Sequence, residues 1–169
     1  YHHIEFSPAN GVLIEAHYTP SWMHSPFNDR KLQRWFRQCA PTEMTHEFSS
    51  LQFNLVYMMI HLYRHLFREG VGLRQVIDYY FVLKRCREEG IDVAPALKVL
   101  RSLGMMRFVR AEMWVMHAHL GMPEADLLCP CDEKEGTFLL SEIMLAGNFG
   151  QYDERINQEA RNGSFKKFW

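Results

Sequence analysis

The sequence predicts an α+β protein that is predominantly helical, with an N-terminal β-hairpin leading into a bundle of about six to seven helices. Three observations predict it. Two short β-favouring runs flank Asn10-Gly11, the dipeptide that the tightest hairpin turns demand. From position 29 onward apolar residues recur at spacings of three and four, the period of an amphipathic helix. Gly70, Gly90, Gly104 and Gly121 divide that pattern into segments of helical length.

The strands are expected over residues 2–6 and 12–18, with 7–11 between them. Side chains alternate along a strand, so Leu13, Glu15 and His17 share one side and Val12, Ile14 and Ala16 the other. A proline-containing loop over 19–27 leads to a short helix over 29–38, where Leu32, Trp35 and Phe36 fall at helical spacing. The main helix is expected over 49–68, opened by a capping box of Ser49 and Gln52 and stopped at Gly70. Helices over 73–89, 92–104 and 105–120 follow, the second capped by Asp92 with Pro95 in its first turn. Shorter helical patterns cover 124–128, 134–145 and 153–161. Residues 1–27 thus read as hairpin and loop and 28–169 as the helical part, together one compact unit.

With 169 residues, 47% apolar and 14% aromatic, the chain can fill a substantial core. Nineteen basic against twenty acidic side chains leave no global field to gather nucleic acid or hold a membrane surface. The charge is local instead: residues 61–110 carry ten bases and five acids, and 124–142 six acids and one lysine. The four cysteines are too few and too scattered for a disulfide framework, and a reducing cytoplasm is expected. The most apolar stretch, 51–67, is interrupted by Asn54, His61, Arg64 and His65, so no membrane span is expected.

On a helical wheel the main helix is apolar around more than half its circumference, the mark of a helix in the middle of a bundle. Its remaining sector, Asn54, Tyr57, His61, Arg64, His65 and Arg68, is continuous and polar. Buried polar groups without partners cost on the order of 2 kcal/mol or more, so this strip is read as lining a cleft.

His61 and His65 stand one helical turn apart, the spacing of a zinc-binding helix, but Leu62 replaces the glutamate of the metalloprotease form. A metal pair would need a third ligand, which the sequence does not identify, so cleft-lining or hydrogen-bonded histidines are the better reading. Cys129-Pro130-Cys131 has the wrong spacing for structural zinc and reads as a loop. His117 and His119 diverge by roughly 200° on their helix and read as surface or capping residues. Gly70-Val71-Gly72 reads as a helix-to-helix turn, with Arg74 near a helix start that could bind an anion weakly. Arg74 and Asp78 lie one turn apart and suit either an intrahelical ion pair or a functional pair.

Taken together, Asn10-Gly-Val-Leu-Ile-Glu-Ala-His17, His61-Leu-Tyr-Arg-His65 and Gly70-Val-Gly-Leu-Arg-Gln-Val-Ile-Asp78 resemble an uncharacterised bacterial family of nucleotidyltransferases. Ala146-Gly-Asn-Phe-Gly150 is similar to that family's late glycine-rich turn, which extends the resemblance over nearly the whole chain. The resemblance implies a polymerase-β-like fold, in which an Asp-x-Asp pair and a third strand-borne acid hold Mg²⁺. Glu15 matches the third acid, as catalytic residue and metal ligand, with His17 beside it. His17, Tyr57, His61, Arg64, His65, Arg68, Arg74 and Asp78 would shape the nucleotide or acceptor side of the cleft. No Asp-x-Asp or Asp-x-Glu on a strand after a Gly-Ser or Gly-Asp turn occurs in the chain. The expectation is therefore a piece of a longer enzyme, cut before Tyr1 and also at its C-terminal end, with the acid pair upstream and no activity alone. The intact protein would transfer a nucleoside monophosphate from a nucleoside triphosphate to an unknown acceptor. The rival expectations are a non-enzymatic helical interaction module and a degenerate nucleotide-binding sensor.

Overall fold

The computed structural model describes residues 3–9, 12–17, 20–43, 50–68 and 70–146, with side chains over 20–40, 50–66 and 70–145. The chain divides into two compact units, Tyr1–Phe48 and Ser49–Trp169. The first holds β1 (His3–Ala9), β2 (Val12–His17) and α1 (Pro26–Glu43). The second holds α2 (Leu51–Arg68), α3 (Leu73–Glu88), α4 (Ala94–Ser102), α5 (Met106–Leu120) and α6 (Glu133–Ala146), with a 3₁₀ turn at Glu124–Asp126.

The α+β class is corrected: the fold is helical. β1 and β2 pair only with each other, so among the described residues no further strand makes them the edge of a catalytic sheet. A lone two-stranded ribbon is at best marginally stable by itself. Among the described side chains the buried apolar ones come from the helices, the turns between them and Met23 in the loop before α1. β1 also runs through Pro8, expected in the loop; a register shift between Phe6 and Ala9 absorbs this residue, which has no N–H for a ladder.

In the first unit α1 begins three residues earlier than expected and runs on to Glu43. Proline needs no N–H bond in a first helical turn, and the Ser25 carbonyl accepts the Asp29 N–H at 2.8 Å. The Asp29 carboxylate accepts the Met23 N–H at 3.0 Å and the Gln33 amide at 3.1 Å, and Gln33 donates to the Ser21 carbonyl at 2.9 Å. These bonds fix the loop against the helix, whose Leu32 and Phe36 are buried.

In the second unit α2 is capped by Ser50, one residue later than expected: its Oγ accepts the Phe53 N–H at 3.2 Å. Leu55, Val56, Met59, Ile60 and Leu62 are all buried, each contributing about 1.5–3 kcal/mol by leaving water. α2 packs on α3 and α4, and α5 on α6. The Tyr79 hydroxyl donates to the Leu55 carbonyl at 2.9 Å and ties α3 to α2. Gly70 has φ 83° and its N–H bonds the His65 carbonyl at 2.8 Å, a left-handed helix end that a Cβ would disfavour. The pattern at 124–128 forms only the short 3₁₀ turn; the helix expected over 153–161 lies outside the described residues.

Candidate functional site

Residues four apart on a helix are neighbours on one face, and α2 repeats this spacing through Phe53, Tyr57, His61 and His65. Their rings form a ladder. Phe53 and Tyr57 stack at 5.7 Å, Tyr57 and His61 stack at 5.8 Å, and His61 meets His65 edge-on at 4.3 Å. The two imidazole Nε2 atoms are 2.9 Å apart, one donating and the other accepting. All four side chains are half-buried. Arg64, expected on the same polar strip, is instead drawn inward to 8% exposure. Arg68 closes α2, and its side chain lies outside the described ones.

On α3, Arg74 and Asp78 are exposed. The ion pairs on this helix lie further along, Lys84–Glu88 at 4.0 Å and Arg85–Glu89 at 2.6 Å. The Gly72 N–H at the start of α3 is bonded to the Gln75 side chain at 2.7 Å. A helix start with its own cap has fewer open amides for an anion, so this turn is weaker phosphate ground than its glycines suggest.

Glu15 and His17 stand on β2 in the N-terminal unit, and the side chains of this strand lie outside the described ones. The ladder sets Glu5 opposite Glu15 and His3 opposite His17. Sequence reading missed both partners. A two-residue loop alone would put Glu5 opposite Ala16; the one-residue shift at Pro8 moves it to Glu15.

A family model described as an uncharacterised nucleotidyltransferase matches residues 1–121. The chain belongs to this family. No curated protein and no solved structure matches it. The match to the nucleotidyltransferase family runs from β1 through α5 and includes Glu15, the α2 ladder and the Arg74–Asp78 stretch. It ends before α6, so the glycine-rich 146–150 segment lies beyond the matched residues, and 147–150 beyond the described ones.

Magnesium is held by oxygen ligands, chiefly carboxylates and waters. Among the described residues no group of three or more His, Cys, Asp or Glu side chains could hold a metal ion. Cys129 is buried and Cys131 exposed, both as free thiols. The His117 ring bonds the Met122 carbonyl at 2.8 Å, and His119 lies edge-on to Trp114 at 4.9 Å, so the two serve different local contacts. No helix among the described residues is long and apolar enough to cross a membrane.

One further titratable group escaped the sequence reading. Glu112 on α5 is fully buried, and neither carboxylate oxygen has a hydrogen-bond partner. Burial raises its pKa to about 8, which keeps it protonated at neutral pH. Tyr79 on α3 lies close enough to feel its charge, and burial together with Cys86, Glu112 and Cys129 pushes the phenol well above its usual range. The signal was present: Phe108, Glu112 and Met116 recur every four residues, which puts the acid on the buried stripe.

Proposed function

We propose that this chain forms part of an enzyme that transfers a nucleoside monophosphate from a nucleoside triphosphate to a hydroxyl or phosphate of an acceptor, releasing pyrophosphate. Membership of the nucleotidyltransferase family across residues 1–121 carries the reading. In it Glu15 is the strand acid, and the half-buried face of α2 with Tyr57, His61 and His65 meets the nucleotide or the acceptor. Exposed Arg74 contributes a cation whose planar, forked donors match the geometry of phosphate oxygens. Mg²⁺ belongs to the proposal through Glu15 and the acid pair that the 169 residues lack, and the chain alone is inactive for want of that pair.

The test is pyrophosphate release by the natural protein carrying an upstream acid pair, supplied with each nucleoside triphosphate and Mg²⁺. Glu15→Ala should abolish release while leaving the circular dichroism spectrum unchanged. Release that survives the substitution removes Glu15 from the chemistry. An interaction module is the second reading, favoured by Ile77 and Phe81, which lie one turn apart on α3 and are 38% and 58% exposed.

A further inference from the structure

We infer that the His61–His65 pair of α2 binds a zinc-class divalent ion, a cation site of different chemistry from the carboxylate site expected for magnesium. The inference starts from one distance. Zinc–imidazole bonds are about 2.0–2.1 Å long, so two of them at an angle of roughly 90–110° place their nitrogens about 2.9–3.4 Å apart. The Nε2 atoms stand at 2.9 Å, inside that range, with the rings edge-on at 73°. The separation is already set by the helix, since residues four apart lie on one face. Tyr57 stacked on His61 at 24° restrains one of the two rings, which lowers the ordering cost of closing a chelate.

The proton balance is simple. In the ion-free pair one neutral ring keeps its hydrogen on Nε2 and donates it to the other. Binding moves that hydrogen to Nδ1 of the same ring, leaving two Nε2 lone pairs for the metal and releasing no proton when both rings start neutral. Imidazole nitrogen suits zinc, copper and nickel, whereas magnesium demands oxygen. Among the described residues no third side chain joins the pair to form a larger ligand group, so the protein supplies two ligands, one fewer than at an open catalytic zinc site, and water or an anion supplies the rest. Both rings are half-buried, which leaves the ion a way in. The inference does not rest on the nucleotidyltransfer reading and is tested without nucleotide.

The 169-residue chain is titrated with Zn²⁺ by calorimetry in the presence of excess Mg²⁺. The expected result is one saturable site that Mg²⁺ does not displace. His61→Gln and His65→Gln should each weaken it at least about tenfold, while His117→Gln, His119→Gln and Cys131→Ser leave it unchanged. Because either ring substitution could disturb α2, the unsubstituted chain is followed by NMR in parallel, and Zn²⁺ should shift the ring resonances of His61 and His65 together. Absence of saturable binding, binding that survives both substitutions, or ring signals unmoved by the ion would each overturn the assignment.

Discussion

The ring of Trp114 occupies the space that a side chain on Gly136 would need: a Cβ there would fall 2.5 Å from Trp114 Cε3 and 2.6 Å from its Cβ. α5 and α6 therefore approach so closely that only a hydrogen fits between the α6 backbone and the indole. Gly136→Ala should be destabilising by about 1–3 kcal/mol through overpacking. The gain in helix propensity, about 1 kcal/mol, opposes this and reduces the net loss. Urea unfolding would measure it. An unchanged or raised midpoint would mean that the indole swings aside freely.

That contact was not legible beforehand, because helical spacing tells which face of a segment is apolar and not which two helices press their smallest residue against their largest. The helices from Leu51 to Leu120 were legible, since their amphipathic pattern and terminal glycines are local signals; boundaries moved by only one or two residues. The cap of α2 illustrates the limit. Ser49 and Ser50 carry the same chemistry, and only the Phe53 N–H bond to Ser50 Oγ chooses between them. At the site, the four-residue spacing of His61 and His65 was visible, and their juxtaposition follows from it. The inward course of Arg64 depends on what packs around α2, and the Glu5–Glu15 pairing depends on a bulge that alternation cannot anticipate.

Tyr79→Phe should cost about 1 kcal/mol. The hydroxyl is buried and donates to the Leu55 carbonyl at 2.9 Å, and a typical intramolecular hydrogen bond contributes about that much net. The ring itself stays, so no cavity opens. Thermal unfolding would read a drop of a few degrees. A larger loss would show that the hydroxyl does more than tie α3 to α2.

Arg64 and Arg74 should separate stability from binding. Arg64 is 8% exposed, so Arg64→Ala removes a packed stem and a buried charge and should cost about 2 kcal/mol or more. Arg74 is exposed, so Arg74→Ala should leave the unfolding midpoint within about 0.5 kcal/mol of the parent. If Arg74 meets phosphate as proposed, the same change weakens ATP binding by the active natural protein, read by calorimetry. Unaltered ATP affinity in Arg74→Ala would take α3 out of the nucleotide site.

Glu112 gives the fold a pH dependence whose sign is fixed by its burial. Its carboxyl is raised from 4.5 to about 8 in the folded chain. Between those values the folded protein holds a proton that the unfolded chain has already released. Stability is therefore highest below the unfolded value, falls as pH rises through the window, and levels off above the folded value. The fall should amount to several kcal/mol, on the order of 1.4 per pKa unit. Glu112→Gln keeps the shape but cannot ionise, so its unfolding free energy should be nearly flat over the same range and exceed the parent's at pH 8. Tyr79, Cys86 and Cys129 share this buried neighbourhood, and burial raises each of their pKa values too. They ionise too high to reproduce a slope that begins near the ordinary carboxylate range, and a parent profile parallel to that of Glu112→Gln would mean that Glu112 keeps its charge in the fold.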